Sequence, residues 1–174
     1  MSPSYLDKHG SLDLAIISDN TYNFRSFLIV GKKSCGKTTM IKNIINELNS
    51  RVSFEKTYLF SNQINKNDYK DIFKNIFHVV SDKDTIDIPS ESQTLIIIDD
   101  YEKNFIRFIS DVKNKNNVYL IFSTQFISNN DLKYAKLYDM KFAYKENINS
   151  HRNIIYKLLG DENKISFDLF SDIF

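Results

Sequence analysis

Three short apolar runs punctuate an otherwise mixed chain: Phe27–Val30, Leu95–Ile98 and Val118–Phe122. Each is rich in β-branched or aromatic residues and is followed by small or polar ones. Runs that are apolar at successive positions predict strands buried on both faces, as in a parallel sheet. Thr57–Phe60 predicts a fourth strand. Asp139–Tyr144 predicts a fifth, in which Met140, Phe142 and Tyr144 alternate with Lys141 and Ala143. That alternation fits an edge strand with one wetter face.

Helical spacing fills the intervals. Ile41, Ile44, Ile45 and Leu48 recur at i, i+3, i+4 and i+7, and so do Tyr69, Ile72, Phe73 and Ile76. Phe105, Phe108, Ile109 and Val112 repeat the spacing, and all three stripes read as core faces of helices. A last helix is expected to start near Asn149 or Ser150 and to end before Gly160. The segment Ser81–Gln93, polar and carrying Pro89, is expected to be a long loop. Strands alternating with helices predict an α/β fold: a mostly parallel central sheet with helices on both faces.

Bulk properties narrow this picture only a little. The chain has 174 residues, 42% hydrophobic and 14% aromatic, which suits one globular domain over 1–174. No repeat and no linker divides it. A net charge of +1 supplies no overall basic field, so any contact with nucleic acid must be local. The single cysteine, Cys35, rules out a disulfide within the chain and fits a reducing compartment. Met1 to Gly10 is polar, with no signal-peptide core, and no apolar stretch is long enough to cross a membrane.

The chemistry begins where the first strand ends. Residues 31 to 38 read Gly-Lys-Lys-Ser-Cys-Gly-Lys-Thr, a complete G-x-x-x-x-G-K-[ST] phosphate-binding loop (Walker A) between a predicted strand and a predicted helix. Gly31 and Gly36 let the backbone bend so that successive N–H groups point at phosphate oxygens. The helix that follows adds its positive N-terminal end. Gly31, Lys32, Lys33, Ser34, Cys35, Gly36, Lys37, Thr38 and Thr39 are therefore the candidate nucleotide-binding residues. Lys37 is expected to reach the β- and γ-phosphates, and the Thr38 hydroxyl to coordinate Mg2+.

Thr94-Leu95-Ile96-Ile97-Ile98-Asp99-Asp100 has the form of a Walker B strand, apolar and ending in paired acids. Open α/β sheets bind ligands at the carboxyl ends of their strands, so this pair is expected beside the phosphate loop. Asp99 is the candidate partner of Thr38 in holding Mg2+. Asp100 is the candidate to polarise an attacking water. The next strand ends Phe122-Ser123-Thr124-Gln125, and Gln125 has the reach and the amide to meet a γ-phosphate or that water. An ordinary polar strand end is its other reading.

Other features carry less. Asn65-Lys66-Asn67-Asp68 matches the N-K-x-D guanine signature, but it lies between Walker A and Walker B, where that motif does not belong. The D-x-x-G of GTPases is also missing after the phosphate loop, so the tetrapeptide is read as a turn with Asp68 capping a helix. His9, His78 and His151 show no metal-ligand spacing. Lys66, Lys70 and Lys74 share one face at i, i+4 spacing; they could touch DNA phosphates, but a solvated lysine face is the preferred reading.

In this order the motifs resemble the DNA-packaging ATPases of large DNA viruses, the poxvirus-type branch of the FtsK–HerA group of P-loop NTPases. The similarity runs from Phe24-Arg25-Ser26-Phe27-Leu28-Ile29-Val30-Gly31 through Tyr58-Leu59-Phe60-Ser61 and Leu95–Asp100 to Thr124-Gln125. It covers roughly Phe24 to Leu159, leaving 1–23 as an extension and 160–174 as a tail. The resemblance implies that Asp99 and Asp100 are the Walker B pair and that Gln125 is the γ-phosphate sensor. It implies ATP hydrolysis that moves double-stranded DNA into a capsid, a homo-oligomeric ring, and a capsid or portal partner. It also implies work in the host cytoplasm at the assembly site, or in the virion. Relatives often carry an Arg-His pair just before the sensor strand; here that stretch is Lys113-Asn114-Lys115-Asn116-Asn117.

The residues by themselves leave other functions open. A P-loop kinase of a nucleotide or small metabolite usually has an arginine-rich lid, and the four arginines here (Arg25, Arg51, Arg107 and Arg152) are scattered. A nucleotide-binding assembly factor without hydrolysis is disfavoured by the intact Asp99 and Asp100. Arg107 lies about 200° around its predicted helix from Phe105, at roughly 100° per residue, and should point outward. It could be a finger entering a neighbour's site or an ordinary surface arginine.

Overall fold

The computed structural model describes residues 23–61, 77–79, 90–101, 103–144 and 149–160, with single positions at 14, 17, 19, 21, 69 and 88. Six strands form one sheet: β1 (Ser26–Val30), β2 (Lys56–Ser61), β3 (Phe77–Val79), β4 (Thr94–Asp99), β5 (Val118–Thr124) and β6 (Met140–Ala143). Their order across the sheet is β3-β2-β4-β5-β1-β6, and every pairing is parallel. The helices are α1 (Lys37–Asn49), α2 (Ile109–Val112), α3 (Leu132–Ala135) and α4 (Asn149–Ile155). A 3₁₀ helix, Lys103–Phe108, leads into α2, and a π turn, Tyr156–Gly160, extends α4.

Strand alternation builds two cores from one sheet, because successive side chains point to opposite faces. Phe27, Ile29, Leu95, Ile97 and Ile121 pack on one face against Ile41, Ile44, Ile45 and Leu48 of α1. Leu28, Val30, Ile96, Ile98, Leu120 and Phe122 pack on the other against Phe105, Ile109, Val112, Ile154 and Leu158. All four α1 residues are fully buried. Truncating one of them to Ala should cost about 2–5 kcal/mol. The doubly buried runs are the inner strands, and β6 is an edge whose burial alternates, as the pattern of its residues predicts.

Two segments depart from the pattern of the sequence. β3 is an edge strand of three residues that follows directly on the Tyr69–Ile76 stripe, and no strand was expected there. The segment from Phe105 to Val112 begins as a 3₁₀ helix rather than an α-helix. Its tighter turn brings Ile106 into the core along with Phe105 and Ile109. The Asn65–Asp68 turn, most of the Tyr69–Ile76 stripe, the lysines at 66, 70 and 74, and most of the Ser81–Gln93 loop lie outside the described residues.

The topology places the site. β5 lies between β1, which carries the phosphate loop, and β4, which carries the acid pair. Its C-terminal tip therefore falls between the two motifs. Register pairs Val30 with Thr124, and Asp99 with Ser123. The Lys113–Asn117 stretch sits at the opposite end of β5, about 20 Å away at roughly 3.3 Å per residue, so its lysines do not join the loop and the acids.

Candidate nucleotide-binding site

The loop from Gly31 to Gly36 leaves β1 and enters α1 through two left-handed residues, Ser34 at φ 62° and Gly36 at φ 102°. A glycine suits such an angle because it has no Cβ to clash. Gly31 is needed for another reason: a Cβ there would lie 2.6 Å from Cys35 Sγ and 2.9 Å from the Tyr144 ring. Helix α1 starts with no side-chain cap, which leaves its first N–H groups to another acceptor. An anion at the helix start would supply one. Lys32, Lys33, Ser34 and Thr39 are exposed, Cys35 and Thr38 are half-buried, and Lys37 is buried.

Lys37 turns back over the loop. Its ammonium donates to the carbonyl oxygens of Gly31 at 2.8 Å and Lys32 at 2.9 Å, and it pairs with Asp100 Oδ2 at 3.0 Å. Burial pushes the Asp100 carboxyl above its ordinary range, outweighing the Lys37 hydrogen bond and charge that pull it down. The charge of Asp99 raises it further, and a hydrogen bond with the Gln125 side chain lowers it. Asp100 itself takes a left-handed backbone, φ 47°. An aspartate tolerates that region better than most residues, and sparsely populated geometry is frequent at functional sites.

Asp99 is 1% exposed and is met by hydroxyls. Thr38 donates to Oδ2 at 3.0 Å, Tyr69 to the same oxygen at 2.8 Å, and Ser123 to Oδ1 at 2.6 Å. Ser123 Oγ also accepts from the Asp100 N–H at 3.1 Å, so one serine of β5 clips both acids. A buried carboxylate beside a threonine hydroxyl fits Mg2+ that draws its other ligands from water and a triphosphate. Among the described residues no group of three or more His, Cys, Asp or Glu side chains converges on a metal site.

Lys37, Thr38, Asp99, Asp100 and Gln125, expected from sequence, thus meet in one place. Three residues that sequence reasoning did not assign join them. Ser123 had a legible signal, as a polar residue ending an apolar strand. Tyr69 belongs to an apolar stripe at helical spacing and carries only a core signal in the sequence. Tyr144 lies just beyond β6, donates from its hydroxyl to the Gly36 carbonyl at 3.0 Å and lies against Gly31. Burial raises its phenol above the usual range. His151 lies against Phe126, and the Arg107 side chain stacks on Tyr134 of its own chain.

A family model described as "P-loop containing dynein motor region" matches residues 15–113, a stretch that holds both the loop and the acid pair and makes up more than half of the chain. The chain belongs to this family. As a member of it, the protein pairs a P-loop with a sheet in which a strand separates loop and acids. "Uncharacterized protein L666" of Acanthamoeba polyphaga mimivirus is 32% identical over 125 residues, 59% of this chain and 50% of that relative. The chain thus spans about half the length of the curated relative it matches. Among solved structures, the genome packaging NTPase B204 from Sulfolobus turreted icosahedral virus 2, in complex with AMPPCP, has a TM-score of 0.59 at 17% identity. That match covers 82% of this chain and 85% of B204. The cytoplasmic domain of the type VII secretion ATPase EccC from Thermomonospora curvata gives 0.56 at 11%, over 95% of this chain and 26% of that one. At such identities the likeness is one of fold, an α/β P-loop NTPase.

Proposed function

We propose that this P-loop protein is a magnesium-dependent ATPase that drives double-stranded viral DNA into a capsid. The observation that carries the enzymatic part is the cluster at the tips of β1, β4 and β5. There Lys37 meets Asp100 at 3.0 Å and Thr38 meets Asp99 at 3.0 Å. Loop N–H groups and Lys37 would bind the β- and γ-phosphates, and Thr38 and Asp99 would hold Mg2+. Bound magnesium would offset phosphate charge. Asp100 would orient and accept a proton from the attacking water, and Gln125 would fix that water or the γ-phosphate.

The motor part rests on the poxvirus-type FtsK–HerA resemblance of the motifs, supported by the shared fold with a genome packaging NTPase. On this reading, 24–159 is one ATPase core flanked by the 1–23 extension and the 160–174 tail. It works as a ring of identical subunits on a capsid or portal vertex, at the assembly site in the host cytoplasm or in the virion. No helix of the described residues is long and apolar enough to cross a membrane.

Phosphate release measured with and without double-stranded DNA tests the proposal. Stimulation by DNA of unrelated sequences is the expected result. Phosphoryl transfer to a nucleotide or small acceptor would make the protein a P-loop kinase instead. Nucleotide binding with no turnover under either condition would make it a non-motor assembly factor.

A further inference from the structure

Asp99 is locked from three directions, and one of the locks comes from outside every recognised motif. Tyr69 lies between β2 and β3 in the chain, is fully buried, and donates its hydroxyl to Asp99 Oδ2 at 2.8 Å. The same oxygen accepts from Thr38, while Ser123 holds Oδ1. An aspartate carboxylate rotates easily about its last torsion, whose preferences are broad. Hydroxyls on both oxygens remove that freedom and choose the oxygen that faces Thr38.

From this arrangement we infer that Tyr69 is a positioning residue for the magnesium site, acting through Asp99. The inference rests on the proposal that Thr38 and Asp99 hold the metal. A buried tyrosine needs a partner for its O–H, and a backbone carbonyl would satisfy it equally well. Here the partner is the Walker B carboxylate. A hydroxyl donor orients that group without cancelling its charge, so the charge stays available to a cation. Groups of this kind behind metal ligands typically change metal affinity by about 10–100-fold when removed.

The test is a magnesium titration of the binding of a fluorescent, non-hydrolysable ATP analogue, compared between the wild-type chain and Tyr69→Phe. In EDTA the two should bind the analogue alike. The magnesium concentration at half-maximal enhancement should rise about tenfold or more in Tyr69→Phe. On an Asp99→Asn background, Tyr69→Phe should add nothing. An unchanged magnesium midpoint, or an equal loss of affinity in EDTA, would overturn the role of Tyr69 and leave the ATPase proposal standing. A wild-type chain indifferent to magnesium would overturn the metal site itself. Should Tyr69→Phe not fold, 3-fluorotyrosine at position 69 keeps the hydroxyl. Its fluorine signal should then shift when magnesium is added to the analogue-bound protein, and an unmoved signal would overturn the inference.

Discussion

Lys37 Nζ stands 3.0 Å from Asp100 Oδ2, so the cation of the phosphate loop faces the second acid of the Asp99-Asp100 pair. The other two protons of the ammonium go to the Gly31 and Lys32 carbonyls. An ammonium has three donors, and all three are engaged. A triphosphate therefore competes with Asp100 for Lys37. Lys37→Ala should lose most triphosphate affinity, and turnover should fall by about 10²-fold or more. Calorimetric titration and phosphate release check this, and near-normal turnover would remove the loop lysine from the reaction.

Asp99 and Asp100 should separate on substitution. Asp100→Asn is expected to slow turnover by about 10²–10⁴-fold, the usual span for a lost general base. Triphosphate affinity should hold or tighten, because Lys37 no longer has a carboxylate to leave. Asp99→Asn should instead weaken binding only where magnesium is present. Affinities measured with magnesium and with EDTA distinguish the two, and identical behaviour would refute the division of roles.

The sheet and half of this site were legible because they rest on local signals. Continuous apolar runs gave the inner strands, and Gly31–Thr38 and Asp99-Asp100 are contiguous motifs whose chemistry follows from their spacing. Ser123 and Tyr144 act across the sheet, where partners are set by strand order rather than by sequence distance, and Tyr69 reaches Asp99 from a position between β2 and β3 in the chain. Ser123 meets Asp99 only because β5 lies beside β4 in that register. Tyr144 reaches the loop only because β6 lies beside β1. The three-residue β3 was hidden for another reason, since Phe77 continues a stripe with helical spacing and the strand is too short to show a period of its own.

Position 31 has no room for a side chain. Since a Cβ on residue 31 would sit 2.6 Å from Cys35 Sγ and 2.9 Å from Tyr144, Gly31→Ala must distort the loop. A stability loss of about 1–3 kcal/mol, typical of overpacking, should appear in a urea melt together with loss of nucleotide binding. Cys35 is the chain's one cysteine, so a maleimide reports on the same crowding. Alkylated protein should fail to bind nucleotide, whereas Cys35→Ala should bind it and ignore the reagent.

Tyr138 offers a test of the core away from the site. Its ring stacks on Phe122 with centroids 6.3 Å apart, and its buried hydroxyl has no hydrogen-bond partner among the described residues. Burial raises its pKa well above the ordinary 10.0. The sign follows from linkage: its contribution to stability is intact below the unfolded-chain pKa near 10.0 and is lost as pH rises toward and through the folded value. Tyr138→Phe removes an unsatisfied buried polar group and should stabilise the fold by about 1–3 kcal/mol at neutral pH. It should also flatten the loss of stability above pH 10.0. Denaturant melts at both pH values check this, and a destabilised Tyr138→Phe would show that the hydroxyl has a partner after all.

Arg107 is exposed, and its guanidinium lies 5.5 Å from the centre of the Tyr134 ring in the same chain. An exposed cation–π contact is worth about 0.5–1 kcal/mol. That is enough to give the arginine a local role and too little to hold it against a neighbour's triphosphate. The contact within the chain predicts that Arg107→Ala melts slightly earlier and hydrolyses ATP at the wild-type rate. A finger acting between subunits predicts a collapse of turnover by about 10³-fold or more. Mixing Arg107→Ala with Lys37→Ala subunits separates a finger from misfolding. A ring in which a Lys37→Ala subunit lends its arginine to an Arg107→Ala neighbour would recover hydrolysis that neither variant shows alone. Wild-type turnover by Arg107→Ala on its own would leave the side chain as a surface brace on Tyr134.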